Sequence, residues 1–266
     1  MKRIRAVAAA TFCLFAAPES KAIVFGVDAR ESAEDFARER GLDAAALRRQ
    51  HAASGIIQCG GARGAGQLTL SANVVTTAAH VFFDKAGRLR ADGAHCVFIA
   101  EAGGQEIATA IDVDSIRAGS RAPYAESPVH DWAVARLKRP LREAVPYALG
   151  APAAGEAVRF AARGHVDWGG GHDLSLETCR LRQGIELGAE GTREFAFDCA
   201  AGIGASGSAL LEADGGRLIG VFVGFRASTP EAQAPFSPEN YNFAVTVEGA
   251  FRRAVIEAAG GASAQR

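Results

Sequence analysis

No stretch of this chain is long and apolar enough to cross a bilayer as a helix, which takes about 20 apolar residues. The longest apolar stretch, AVAAATFCLFAA at the N-terminus, falls well short of that. Blocks of like charge are also missing. With 29 basic and 30 acidic residues spread along the chain, formal net charge is −1, and no basic run exists to grip nucleic acid. Cysteine is scarce at five, and no CxxC pair occurs, so the spacing fits no zinc motif. Methionine occurs once, and no internal repeat is found. What remains is an ordinary globular profile, 48% hydrophobic and 22% charged, with enough chain for two compact domains.

The first residues set the compartment. MKRIR is a positive segment, followed by the short apolar stretch and then by small residues offering cleavage after Ala17 or Ala22. This is the pattern of a secretory signal peptide over residues 1–22, and it places the mature protein outside the cytoplasm, secreted or periplasmic. Cleavage after Ala22 removes Lys2, Arg3, Arg5, Lys21 and Glu19. The mature chain then carries 25 basic and 29 acidic residues, a net charge of −4. Cys13 goes with the leader, and no lipid-attachment motif precedes it. Cys59, Cys96, Cys179 and Cys199 remain, an even number in an exported protein, which implies two disulfides. Four cysteines allow three pairings, and proximity in sequence favours Cys59–Cys96 and Cys179–Cys199.

Residues 29–53 are the one strongly helical stretch before the C-terminus. Ser32 and Asp43 stand as N-caps, with Gly41 between as a C-cap, so two short surface helices are expected. From residue 54 the pattern turns to short apolar runs of period two, separated by Gly, Asp, Ser and Pro. About a dozen strands are read: GIIQC, GQLTLSA, NVVTTAA, AHCVFIA, EIATAIDVDSI and DWAVARL, then AVRFAARG, SLETCRLRQGIEL, REFAFDC, SALLEA, RLIGVFVGF and NFAVTV. That count fits two packed barrels or sandwiches better than any alternation of strand and helix. The linker RPLREAVPYALGAPAAG (139–155) divides the strands six and six. VEGAFRRAVIEAAGG (247–261) reads as an amphipathic helix. The expected organisation is a leader at 1–22 and a first barrel with its N-terminal segment at 23–140. A second barrel with the C-terminal helix follows at 141–255, then a tail at 256–266.

Three polar residues stand in apolar or glycine-rich surroundings. His80 follows NVVTTAA, where alone it reads as a satisfied strand-end residue. Asp131 opens DWAVARL, where alone it reads as a turn or cap. Ser206 sits in GIGASGSALL, whose glycines reach positive φ cheaply and so form a turn. Together they supply what a serine nucleophile needs: a base to take its proton, and a carboxylate to hold the base in one tautomer. His80 and Asp131 fall in the first strand set and Ser206 in the second, which puts the site between two β-domains.

TTAAHVF (76–82), HDWAVARL (130–137) and DCAAGIGASGSALL (198–211) resemble the motifs of chymotrypsin-like serine peptidases. VFGVDAR (24–30) resembles the start of mature chains in the exported bacterial V8-like branch, the glutamyl endopeptidases among them. The likeness covers roughly residues 23–255. It implies an all-β chain of two six-stranded antiparallel barrels with a C-terminal helix. It implies His80 as general base, Asp131 as its orienter and Ser206 as nucleophile, with the backbone N–H groups of Gly204 and Ser206 as oxyanion hole. Ala205 departs from the aspartate that trypsin's closest relatives carry before the serine. Ala200 stands where trypsin has its acidic specificity residue, and Val223 where V8-like enzymes place a histidine that reads glutamate. Ala200, Ala201, Ile203, Val223, Gly224 and Phe225 are therefore expected to line an apolar pocket for a small or medium apolar P1 side chain. A protein or peptide is the expected substrate, with no nucleic acid or membrane partner after leader removal, no cofactor and no metal. The alternative is a peptidase fold kept as an inactive binding module.

Two weaker signals remain. GHVDWGGGHD (164–173) gathers His165, Asp167, His172 and Asp173, but its glycines supply no fixed geometry for a metal, and a glycine-rich loop beside the cleft is expected instead. GGARGAG (60–66) lies between strands rather than before a helix, so it is read as a hairpin turn, not a phosphate loop.

Overall fold

The computed structural model describes residues 23–90, 96–169, 173–227 and 234–260. The expected leader, residues 1–22, and the end of the expected tail, residues 261–266, lie outside them. A two-residue strand, β1 (Glu31–Ser32), leads into two short helices, α1 (Ala33–Arg40) and α2 (Ala44–Gln50). Their ends follow from the caps. The Ser32 hydroxyl accepts the N–H of Asp35 at 3.0 Å, and the Asp43 carboxylate accepts those of Ala45 and Ala46. Gly41 takes a left-handed φ of 66°, which lets the Leu42 N–H reach back to the Ala37 carbonyl. These helices are more than decoration. Phe36 is fully buried, with the guanidinium groups of Arg40 and Arg159 over its ring, and Leu47 joins the same core.

The first barrel follows: β2 (Ser54–Cys59), β3 (Ala62–Thr69), β4 (Ser71–Thr77), a one-turn helix α3 (Ala79–Phe82), β5 (Val97–Ala102), β6 (Gln105–Ala118), a 3-10 turn at Pro128–His130, and β7 (Ala133–Leu137). All its pairings are antiparallel, and it closes in the order β2-β3-β4-β7-β6-β5. The connection contributes β8 (Ala148–Leu149). The second barrel is built from β9 (Ala157–Ala162), β10 (Ser175–Leu187), β11 (Arg193–Phe197), β12 (Ala209–Glu212), β13 (Arg217–Ala227) and β14 (Asn240–Thr246). Its path β10-β11-β14-β13-β12-β9 is closed by β9 pairing with β10. Closure leaves no open sheet edge in either barrel. The fold is thus the all-β, two-barrel, chymotrypsin-like architecture expected. Two small strands were not expected: β1 pairs with β10, and β8 lies parallel to β13.

Both cysteine pairs are joined as expected. Cys59–Cys96 ties the end of β2 to the start of β5, and Cys179–Cys199 ties β10 to the segment after β11. The last helix, α4 (Gly249–Ala258), leaves the second barrel and packs on β7 of the first, where Phe251 stacks on Trp132 at 4.9 Å between centroids. The GGARGAG segment divides: Gly60 and Gly61 make the turn, at φ of 52° and 77°, and the rest is already β3.

Candidate active site

β4 ends at Thr77, and His80 stands on α3 rather than at the strand end expected for it. Three small residues, Ala78, Ala79 and Gly64, make room for that turn. A Cβ on Gly64 would lie 2.6 Å from Val81 and 2.9 Å from the Ser206 carbonyl oxygen, so only glycine lets α3 and the Ser206 turn close on β3 together. Asp131 follows the 3-10 turn, whose Ser127 cap accepts the Val129 N–H. The Asp131 carboxylate holds His80 at two points. Oδ1 accepts the backbone N–H of His80 at 2.9 Å, and Oδ2 lies 2.7 Å from ring Nδ1. A carboxylate only accepts, so Nδ1 carries the proton and Nε2 keeps its lone pair. Asp131 is 5% exposed, which strengthens the bond by excluding water. The Tyr124 ring lies 5.9 Å from that of His80, and Arg90 donates to the His80 carbonyl. Neither neighbour carries a signal in the sequence.

Ser206 lies between Gly204 and Gly207, both at φ 88°. Its carbonyl accepts the N–H of Ala65 from the first barrel at 2.6 Å, while Gly207 donates to Phe222 of the second at 2.7 Å. Ser206 is thereby seated where the barrels meet, beside α3. Among the described residues the His80 ring bonds to Asp131 and not to the Ser206 hydroxyl. The turn itself is tight: Ala205 donates to Gly202, and Ser208 to Ala205. The N–H groups of Gly204 and Ser206 donate to no acceptor among the described residues, so both remain available to a ligand oxygen.

Of the residues expected to line a pocket, Ala200, Ala201 and Val223 are buried, while Ile203 and Phe225 keep 42% and 36% of their surface exposed. Ala201 pairs with Ile23, and Gly224 faces the ring of Phe243. Pairing between β13 and β14 slips between Phe222 and Gly224, leaving Val223 out of register. One residue in this region escaped sequence reading. Glu177, on β10, is buried, and its Oε2 accepts the N–H of Ala200 at 2.8 Å. Burial pushes its carboxyl up to about 8, with Asp28 and Asp198 adding to the effect and the Ala200 N–H opposing it.

The glycine-rich loop expected beside the cleft is partly internal. His165 is buried, Arg30 takes its Nδ1, and Asp167 is a second Arg30 partner; His172 lies outside the described residues. No group of three or more His, Cys, Asp or Glu side chains suited to a metal occurs among the described residues.

Three buried groups give stability a two-sided dependence on pH. Burial lowers His51 to about 3, with Arg159 and Arg163 adding to it, and lowers His165 to about 4, with Arg30 adding to it. Both are neutral when folded. Their contribution is complete above their unfolded value of 6.5 and is lost as pH falls toward 4 and below. Glu177 has the opposite sign: raised above 4.5, it stabilises fully in acid and loses that contribution as pH rises through 8. Each group changes stability by about 1.4 kcal/mol per pH unit within its window. Thermal unfolding is therefore expected to show a maximum near pH 6.5, and Glu177→Gln should flatten the alkaline limb and steepen the acid limb above about pH 4.5. An unchanged alkaline limb in that variant would refute the assignment.

A family model described as a trypsin-like peptidase domain matches residues 64–221. Among solved structures, a Glu endopeptidase in complex with MPD is similar at 14% identity and a TM-score of 0.67, covering 89% of this chain and 99% of that one. A thermostable serine protease, AL20, from an extremophilic microorganism is similar at 16% identity and a TM-score of 0.56, covering 79% of this chain and 98% of that one. Deg5 is similar at 16% and 0.52, covering 80% and 90%. At these identities the likeness is one of fold. Among curated proteins, none matches.

Proposed function

Because the chain belongs to the trypsin-like peptidase family, we propose that it is a secreted or periplasmic serine endopeptidase of the V8-like branch, working through an acyl-enzyme. The observation that carries this reading is the two-point hold of Asp131 on His80, which leaves Nε2 free to act as a base. The Ser206 hydroxyl attacks the scissile carbonyl carbon while His80 Nε2 takes its proton. Negative charge gathers on the carbonyl oxygen, which the N–H groups of Gly204 and Ser206 receive. The imidazolium, stabilised by Asp131, gives its proton to the departing amine, and an ester remains on Ser206. Water then attacks the ester with His80 again as base, releasing the acid and restoring the hydroxyl.

Ala200, Ala201, Ile203, Val223, Gly224 and Phe225 support a small or medium apolar residue at P1, since none carries a charge to meet an ionic side chain. VFGVDAR supports the branch, and the two disulfides support an oxidising compartment. No described helix is long and apolar enough to cross a membrane.

Profiling against a mixed peptide library tests the reading. Cleavage after small apolar residues, abolished in Ser206→Ala, is the expected result. Peptide binding without turnover, equal in both proteins, would instead identify an inactive binding module.

A further inference from the structure

Arg30 ends the VFGVDAR stretch, and its side chain is only 4% exposed. All three of its nitrogens are engaged. Nε and Nη2 donate to the two carboxylate oxygens of Asp28 at 2.9 and 2.7 Å. Nη1 and Nη2 donate to Asp167 Oδ2 at 3.3 Å, and Nη1 lies 2.7 Å from His165 Nδ1. Arginine only donates, so the His165 ring accepts there. A planar fork reaching one carboxylate at two points, a second carboxylate and an imidazole is work a lysine cannot reproduce.

What Arg30 grips is the backing of the Ser206 turn. His165 and Asp167 flank Val166, whose N–H donates to the Ile203 carbonyl at 3.0 Å. A Cβ on Gly164 would stand 3.0 Å from the Gly204 carbonyl oxygen, and one on Gly202 would stand 2.9 Å from Asp167 Oδ2. Residues 164–167 thus lie flush against residues 202–204, with glycines on both sides of the contact. From the other direction Ile23 and Ala201 exchange two backbone hydrogen bonds, at 2.9 and 3.2 Å. The N-terminal segment therefore holds the entry to the turn twice, directly at Ala201 and through residues 164–167 at residues 202–204.

We infer that Arg30 is a positioning residue: by clamping His165 and Asp167 it fixes the 164–167 backing and so aims the Gly204 N–H at the developing oxyanion. The inference rests on the proposed peptidase reading. It assigns Arg30 a role in the transition state more than in substrate affinity, because the clamp bears on the main chain of residues 202–204, the Val166 N–H reaching the Ile203 carbonyl.

The test uses the full chain and two readouts, the rate of acylation of Ser206 by a fluorophosphonate probe, and kcat and KM on a peptide found by library profiling. Rates are expressed per titrated active site, so unfolded protein does not count. Removing one oxyanion donor outright costs about 100- to 1000-fold. Misaiming one through Arg30→Ala should cost about 10- to 100-fold in kcat and acylation rate, with KM changing less than about threefold. Added guanidinium ion at non-denaturing concentration should restore much of the loss, and sodium at equal ionic strength should not. Arg30→Lys should recover only a small part. Should Arg30→Ala fail to fold, Asp167→Asn keeps the shape and removes one partner, with about a 3- to 10-fold loss in kcat expected. Wild-type kcat per site in the variant, or a loss that guanidinium does not restore, would overturn the inference and leave the peptidase reading intact. A wild-type protein inert to both probe and peptide would overturn both.

Discussion

Asp131→Asn is expected to lower kcat about 10,000-fold while leaving the protein folded, the loss that follows in this enzyme class when the base is held in the wrong tautomer. The geometry explains why so conservative a change is so damaging. Asparagine can keep its oxygen on the backbone N–H of His80, where Oδ1 now accepts. Its other group becomes an NH2, which can only donate to ring Nδ1. The imidazole then carries its proton on Nε2 and has no lone pair there to take the Ser206 proton that the proposed mechanism requires of it. Stabilisation of the imidazolium by a full negative charge is lost as well. About 5.4 kcal/mol of transition-state stabilisation disappears, yet no cavity forms. Paired measurements of kcat/KM and thermal unfolding check this. A loss under 100-fold would mean that Asp131 does not set the tautomer.

Phe251→Ala is expected to be the most damaging change distant from the cleft, at about 3–5 kcal/mol. Phe251 is fully buried and stacks on Trp132 with the rings 14° from parallel. The contact joins the C-terminal helix to the first barrel, and Trp132 directly follows Asp131. Trp132 is anchored close to Gly119. A Cβ on Gly119 would already lie 2.7 Å from its Cε2, and the Gly119 N–H is bonded to the Trp132 carbonyl. Truncation removes the ring that α4 sets against the first barrel and opens a cavity there. Given a total stability of about 5–15 kcal/mol, a fall of about 10 °C in melting temperature is expected. A fall under 2 °C would show that α4 contributes little to holding the first barrel.

Most of the barrel strands are legible in the sequence because one face of each is buried and the other is not, and period-two alternation records that directly. SLETCRLRQGIEL reads as one strand and forms one, β10 over all thirteen residues. The short elements are not legible. Ala148–Leu149 pairs with β13 only because the connection passes beside it, and two residues carry no periodicity. The turn bearing His80 continues an apolar run, and β4 ends at Thr77 where Gly207 packs on Thr77 and Ala78 while Gly64 packs on Val81 of α3, a fact of tertiary packing. The cap residues of α1 and α2 were visible since their hydrogen bonds are local, spanning two or three residues. Arg30 was not, since its partners His165 and Asp167 lie 135 and 137 residues away. Glu177 looks like any polar position in a strand until Ala200 arrives to bond it.

In the proposed mechanism the Ser206 hydroxyl is the nucleophile and His80 activates it. The most direct measurement is mass-spectrometric mapping of the folded protein after reaction with a fluorophosphonate. One adduct per chain, on Ser206, formed at least a thousandfold more slowly in His80→Ala, is the expected result. An unmodified Ser206 in folded protein, or modification at an equal rate without His80, would contradict it.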